Sequence, residues 1–243
     1  MITEVEGIIL GVTPYGETSK IINVFTKEYG IIGIICKGAY SLKSKLRSVT
    51  EKLTYGIFNI YYKKEKLSTL VSVDIINPFK NIKNDILLIS YASYLSDLVY
   101  QVLKQSKNNK IYNDFINALL KIEDKLNPVV ITNILEVKLL EYLGVGLNLT
   151  SCILCGNKKE IVTLSSEKGG LICKNCYTNE KIIPISIVKI LNMYYLVDIK
   201  SISKLSIKED IIKEINSFLT AYYDDYTGLY LKSKDFLKTI QKL

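Results

Sequence analysis

The sequence predicts an α+β protein of several domains: a five-stranded barrel first, an all-helical C-terminal part, and a four-cysteine module set among the helices. Three observations predict it. Residues 1–80 divide into short runs rich in β-branched side chains and punctuated by glycine. From residue 81 the apolar residues recur at helical spacing. Two Cys-x-x-Cys pairs lie at 152–155 and 173–176. The expected divisions are 1–80 for the barrel, 81–150 for the first helical part, 151–178 for the cysteine module and 179–243 for the second helical part.

The strands come in order. Gly7 to Val12 is an apolar run closed by Pro14-Tyr15-Gly16. Lys20 to Thr26 follows, and Glu28-Tyr29-Gly30 turns the chain into Ile31 to Cys36. After a long loop, Lys37 to Lys52, come Tyr55 to Tyr62 and Leu67 to Ile76, joined by the charged turn Lys63-Lys64-Glu65-Lys66. Five short strands with one long loop fit a small closed barrel, and the OB-fold is the five-stranded architecture of that kind. Pro78 marks its end.

Beyond it, Leu87, Tyr91, Tyr94, Leu98 and Val102 share one helical face. Lys104 to Lys110 is polar and predicts a loop. Helices are expected over Ile111 to Lys125 and over Val129 to Leu143, separated by Asn127-Pro128, with Gly144 as C-terminal cap. After the cysteines, Pro184 precedes a helix from Ile185 to Val197. Ser206 and Glu209 have capping-box spacing ahead of the stripe Ile211, Ile215, Phe218, Leu219 and Tyr222. All these stripes are read as core packing.

Composition narrows the function classes. The chain has 243 residues, 48% hydrophobic and 23% charged, which is globular and long enough for more than one domain. Its formal net charge of +8 favours polyanionic partners. The acidic N-terminal stretch Met1 to Glu6 has no apolar signal core. The longest apolar stretch, Ile86 to Val102, is interrupted by Ser90, Ser93, Ser96 and Asp97, so no membrane span is expected. A cytoplasmic setting follows, where paired cysteines suggest a metal rather than disulfides. There is no histidine. That excludes a histidine general base, the Ser-His-Asp and Cys-His arrangements, and every histidine-containing metal site.

Cys152, Cys155, Cys173 and Cys176 form two knuckles separated by seventeen residues. Each pair turns two thiolates onto one ion, and the connecting segment brings the second pair back to complete a tetrahedron. Gly169-Gly170 suits the hairpin between them, and Lys158, Lys159, Lys168 and Lys174 offset thiolate charge. Four sulfurs with no open position suit one structural zinc ion. Spacing alone leaves an iron–sulfur cluster as the alternative. Cys36, alone on an apolar strand, is expected to be a buried thiol.

A second constellation is basic. Lys37, Lys43, Lys45, Arg47, Lys52, Lys63, Lys64 and Lys66 face only Glu51 and Glu65 between residues 37 and 66, and Tyr40 lies among them. Cations neutralise phosphates and an aromatic ring stacks on an unpaired base, so Lys37, Tyr40, Lys43, Lys45, Arg47, Lys63, Lys64 and Lys66 are candidate nucleic-acid contacts bordering one groove. The same run is equally readable as a solvated charged loop. No enzyme site emerges. Gly33-x-x-x-x-Gly38 is followed by Ala39-Tyr40 where a phosphate-binding loop needs Lys and Ser or Thr. Glu209-Asp210 and Asp224-Asp225 suit solvated helix ends.

With these residues assembled, the chain resembles the RecO family of bacterial DNA repair and recombination mediators along essentially its whole length. The resemblance rests on Glu6 to Leu10, Tyr15 to Ile21, Phe25 to Gly30, Lys37-Gly38-Ala39, Leu53 to Gly56, Tyr91 to Leu95, Glu136 to Gly144, the cysteine block with Gly169-Gly170-Leu171, and Leu231 to Leu237. It implies an N-terminal OB-fold, a helical C-terminal domain carrying a zinc module, and ATP-independent work without catalysis. It further implies binding to single- and double-stranded DNA, annealing of complementary strands, and contact with RecR and with the C-terminal tail of single-stranded DNA-binding protein. Loading of RecA follows, in the RecFOR pathway, with a cytoplasmic, nucleoid-associated location. The family's basic DNA-contacting loop maps onto Lys37, Lys43, Lys45 and Arg47. Two other readings compete: a zinc-containing RNA-binding protein, and a zinc-stabilised adaptor that binds only protein.

Overall fold

The computed structural model of the chain describes residues 1–106 and 108–242. Five strands form a closed barrel: β1 (Thr3–Tyr15), β2 (Ser19–Thr26), β3 (Gly30–Cys36), β4 (Tyr55–Tyr61) and β5 (Ser68–Asn77). The order is β1-β2-β3-β5-β4, with β4 returning to β1, the closure expected of an OB-fold. All pairings are antiparallel except β3 with β5, which meet in parallel through Ile34↔Ser68 and Ile35↔Thr69.

Alternation builds the core. Val5, Ile9, Ile22, Val24, Ile34, Phe58, Ile60 and Leu70 point inward and are buried together. Gly7 lies opposite Gly56 where β1 crosses β4. A Cβ on Gly7 would sit 2.6 Å from a methyl of Val24, and one on Gly56 would sit 2.5 Å from the Asp74 carbonyl oxygen. Close approach of backbones therefore requires glycine at both positions.

Two compact units divide the chain. The first holds Met1–Ile116 together with the stretch from Ser233 on; the second is Asn117–Lys232. In the first unit the barrel is joined by the one-turn helices α1 (Leu46–Val49) and α2 (Lys80–Asn84), and by α3 (Ile86–Ser106). Neither short helix was expected: four and five residues are too few to show a period. Leu87, expected on the buried face of α3, is 36% exposed, and Leu88, Leu95, Val99 and Leu103 take the buried side with Tyr91, Leu98 and Val102. The helix also runs three residues, Lys104 to Ser106, into the stretch expected to be a loop; Lys107, inside that stretch, lies outside the described residues. By length and composition α3 is apolar enough to cross a membrane, yet 61% of its most apolar window is buried inside the protein, as in a core helix. Ser90 and Ser96 are buried by donating to the Ile86 and Ala92 carbonyls one turn back. Helix α4 (Ile111–Glu123) begins in this unit, where Tyr112 packs edge-on to Phe25 at 5.1 Å. The hydroxyls of Tyr112 and Tyr55 both donate to Glu6, at 3.2 and 2.7 Å.

The second unit is built on α5 (Pro128–Tyr142), which is buried nearly all round. Asn127 caps its first turn, accepting from Val129 and Val130, and Gly144, at φ +74°, ends it as expected. Around it lie β6 (Asn148–Cys152), β7 (Ile161–Ser165), β8 (Gly170–Cys173), α6 (Ile185–Leu196) and α7 (Glu209–Tyr226). Ser206 does not cap α7: Lys208 holds the cap position and no side chain bonds there. The first-turn carboxylates Glu209 and Asp210 favour that end electrostatically instead. The last helix, α8 (Lys232–Ile240), covers the closing part of the resemblance. Gln241, just after it, donates to the Tyr91 hydroxyl at 2.5 Å.

Candidate metal centre and nucleic-acid interface

The four cysteines converge in the second unit. A three-stranded sheet of order β6-β8-β7 carries Cys152 at the end of β6 and Cys173 at the end of β8, with Cys155 and Cys176 on the tight turns that follow. The four sulfurs all lie within 4.8 Å of one another, and Cys155 Sγ is 3.6 Å from Cys173 Sγ. Four sulfurs at about 2.3 Å from one zinc ion stand about 3.8 Å apart, so the donor set fits a tetrahedral ion.

Local chemistry points the same way. The Gly156 amide donates to the Cys152 carbonyl and the Cys176 amide to the Cys173 carbonyl, which curls each knuckle. Burial raises the Cys152 thiol, but backbone N–H groups of Cys173, Cys155 and Leu154 aimed at its sulfur outweigh that and bring it down to about 6. The neighbouring sulfurs of Cys155 and Cys173 push Cys176 up to about 12. One thiolate thus resists its neighbours, and a dication resolves the conflict by charging all four. Cys152 and Cys173 are buried and Cys155 is exposed. Lys168, expected to balance thiolate charge, is engaged with Glu180 instead.

The basic residues lie in the first unit. Lys37, Tyr40, Lys43, Lys45 and Arg47 are all exposed, as are Lys63, Lys64 and Lys66. The long loop is stapled at its root. Ala39 is buried in the barrel core, the Tyr40 amide donates to the Thr18 carbonyl at 2.8 Å, and the Gly38 amide to the Ser19 hydroxyl at 3.3 Å. Its middle, Ser41 to Lys45, projects to solvent apart from half-buried Ser44.

Sequence reasoning missed the residue that organises this loop. Lys20, on β2, is 1% exposed. Its Nζ lies 2.5 Å from a Glu51 carboxylate oxygen and 4.8 Å from the centre of the Tyr40 ring. One buried ammonium thereby ties both ends of the loop to the barrel. A lysine beginning a β-branched run carries no mark of burial, and its carboxylate partner is 31 residues away. Cys36 beside it is buried, and burial pushes its thiol up to about 12.

The loop and the Lys63–Lys66 turn meet the barrel at different points along β3. The loop leaves the C-terminal end of β3, whereas the turn, which leads into Ser68, flanks its start near Ile32 and Gly33.

Comparison with known proteins decides the family. Residues 1–79 match the model for the Recombination protein O N terminal domain, and residues 83–235 that for the Recombination protein O C terminal domain. The chain belongs to the RecO family. Proteins named DNA repair protein RecO share 33% identity in Bacillus subtilis, covering 100% of this chain and 96% of that one, and 32% in Halalkalibacterium halodurans, covering 100% and 97%. The Listeria innocua RecO is 30% identical over 98% of this chain and 94% of its own.

Proposed function

We propose that this RecO-family protein acts in DNA repair and recombination as a non-enzymatic mediator. It binds single- and double-stranded DNA through residues 1–80, anneals complementary strands and, with RecR, helps load RecA onto DNA coated by single-stranded DNA-binding protein. The observation that carries the reading is the exposed run Lys37, Tyr40, Lys43, Lys45 and Arg47, anchored by Lys20 and Glu51 on a barrel whose sequence matches RecO end to end. A projecting loop rooted in the core presents cations to phosphates at little ordering cost. Lys63, Lys64 and Lys66 extend the contact along β3. The four cysteines hold one zinc ion as a structural clamp; when bound it neutralises their thiolates and takes no part in chemistry. The protein works in the cytoplasm, associated with the nucleoid.

For the acidic tail of single-stranded DNA-binding protein, the receptor we propose is an apolar cleft of about 360 Å³ beside α6 and α7. Ile134, Ile190, Met193 and Ile211 line it, with Lys208 for a carboxylate. Tyr194, 3% exposed, lines the same cleft with a hydroxyl that has no partner among the described residues. Ile190→Asp should abolish capture of a fluorescent acidic peptide; unchanged affinity moves the tail elsewhere.

The mediator reading is tested by strand annealing with and without single-stranded DNA-binding protein. Accelerated annealing of naked and coated strands is expected. No acceleration in either case overturns the reading. A strong preference for RNA over DNA of one sequence turns it towards RNA binding, and no nucleic-acid binding at low salt with a co-purifying partner turns it towards a protein adaptor.

A further inference from the structure

Tyr29 and Tyr62 stack on the outside of the barrel, ring centres 4.6 Å apart and planes 26° from parallel. Tyr62 packs inward against the core cluster, and Tyr29 lies over it, 43% exposed. A cleft opens on each side of the pair. One, of about 520 Å³, is lined by Tyr29, Ile31, Tyr100, Lys104 and Asn109. The other, of about 340 Å³, is lined by Ile31, Gly33, Tyr62, Lys63, Glu65 and Lys66. Ile31 lines both, and together the two clefts carry three lysines and one carboxylate.

The rings are held before any ligand arrives. Thr26 donates its hydroxyl to the Gly30 carbonyl at 2.8 Å and accepts from the Tyr29 amide at 3.0 Å, which fixes the turn bearing Tyr29. Gly30, at φ +69°, leaves no space for a side chain, because a Cβ would meet Asn109 Oδ1 at 2.7 Å. The Lys63 amide donates to the Ser68 hydroxyl at 3.1 Å, which fixes the turn after Tyr62. A Cβ on Gly33 would stand 2.7 Å from a methyl of Leu67, next to that turn. On the far side, Lys104 Nζ sits 4.4 Å from the Tyr100 ring centre.

We propose that Tyr29, backed by Tyr62, is a stacking platform for one unpaired nucleobase, with Lys63 and Lys66 taking the adjoining phosphates. Tyr29 keeps much of its ring in solvent, which serves packing poorly. A flat aromatic surface beside cations suits a base and its backbone, and every base has the face it needs. A paired base is already stacked between its neighbours, so the platform selects single strands. The proposal rests on the DNA-binding reading above and adds to it a second contact point, at the opposite end of β3 from Tyr40.

The test uses the full chain, a labelled oligo-thymidine strand and a matched duplex. Tyr29→Ala should weaken single-strand binding about tenfold, the effect of losing one stacked base. Duplex affinity, melting temperature and the salt dependence of binding should stay as they were. Tyr29→Phe, which keeps the ring, should restore binding. Lys63→Glu with Lys66→Glu should weaken both ligands and flatten the salt dependence. Single-strand affinity unchanged in Tyr29→Ala overturns the platform, as does an equal loss for duplex or failure of Tyr29→Phe to rescue. Failure of the unsubstituted protein to bind any oligonucleotide overturns the DNA-binding reading itself, and the platform with it.

Discussion

The cysteine module and the basic loop solve opposite problems. In the module, four side chains converge to within 4.8 Å, a set that could hold a metal ion. In the loop, Lys37, Tyr40, Lys43, Lys45 and Arg47 are exposed, and the root is held by Lys20, Glu51 and buried Ala39. The first arrangement has meaning only when closed on its ligand. The second must stay open to meet one. The two features lie at different ends of the chain, and each can be attacked alone.

The hardest blow to the comparison is Cys152→Ser. It removes a buried ligand, and loss of a structural ion costs on the order of 4 kcal/mol or more. Metal content should drop and the melting temperature should fall steeply, while the barrel's DNA contacts persist in whatever folds. Selective loss of DNA binding at an unchanged melting temperature would erase the division of labour. Next is the triple reversal Lys43→Glu, Lys45→Glu, Arg47→Glu. Three exposed cations lost and three anions gained should weaken single-strand binding by about a hundredfold or more at moderate salt. Surface positions of this kind leave stability nearly unchanged. Oligonucleotide titration and thermal melting, run together, check both halves.

Lys20→Met joins the two properties in one residue. The Glu51 partner is 56% exposed, so solvent screens the pair, and a loss of about 1–2 kcal/mol is expected rather than the full cost of a buried ion pair. DNA affinity should fall several-fold with the salt dependence intact, because Lys20 orients Tyr40 and touches no phosphate. A flatter salt dependence would make Lys20 a contact instead. The smallest effect is at Cys36. Its folded pKa is raised from 9.0 to about 12, so the unfolded chain gives up this proton first. The thiol therefore adds nothing to the pH dependence below about pH 8. It lowers stability as pH rises above 9 and stops doing so near 12. Cys36→Ala should flatten that alkaline decline in denaturant melts. With a thiol reagent at pH 8, chelation should expose the four module cysteines and leave Cys36 silent.

Much of this was legible in the sequence for a simple reason: the signals were local. Alternation and glycine turns marked the five strands, Asn127-Pro128 and Gly144 framed α5, and the cysteine spacing announced the module. What escaped was short or non-local. The helices α1 and α2 have four and five residues, too few to show a period. The capping-box spacing of Ser206 and Glu209 lost to a start at Lys208. Lys20 with Glu51, and Tyr29 with Tyr62, meet only because the barrel closes, and no spacing rule encodes that. The parallel meeting of β3 with β5, through just two residue pairs, is non-local in the same way.

The first unit takes in residues on either side of the second, and Gln241 closes on Tyr91 across 150 positions. A ribosome at about 5–20 residues per second delivers Ile116 roughly ten seconds before Ser233. During that interval the barrel and α3 stand without their last helix while the second unit is still being made. The order of synthesis therefore has the cysteine module able to take up its ion before the unit that carries the basic loop is complete.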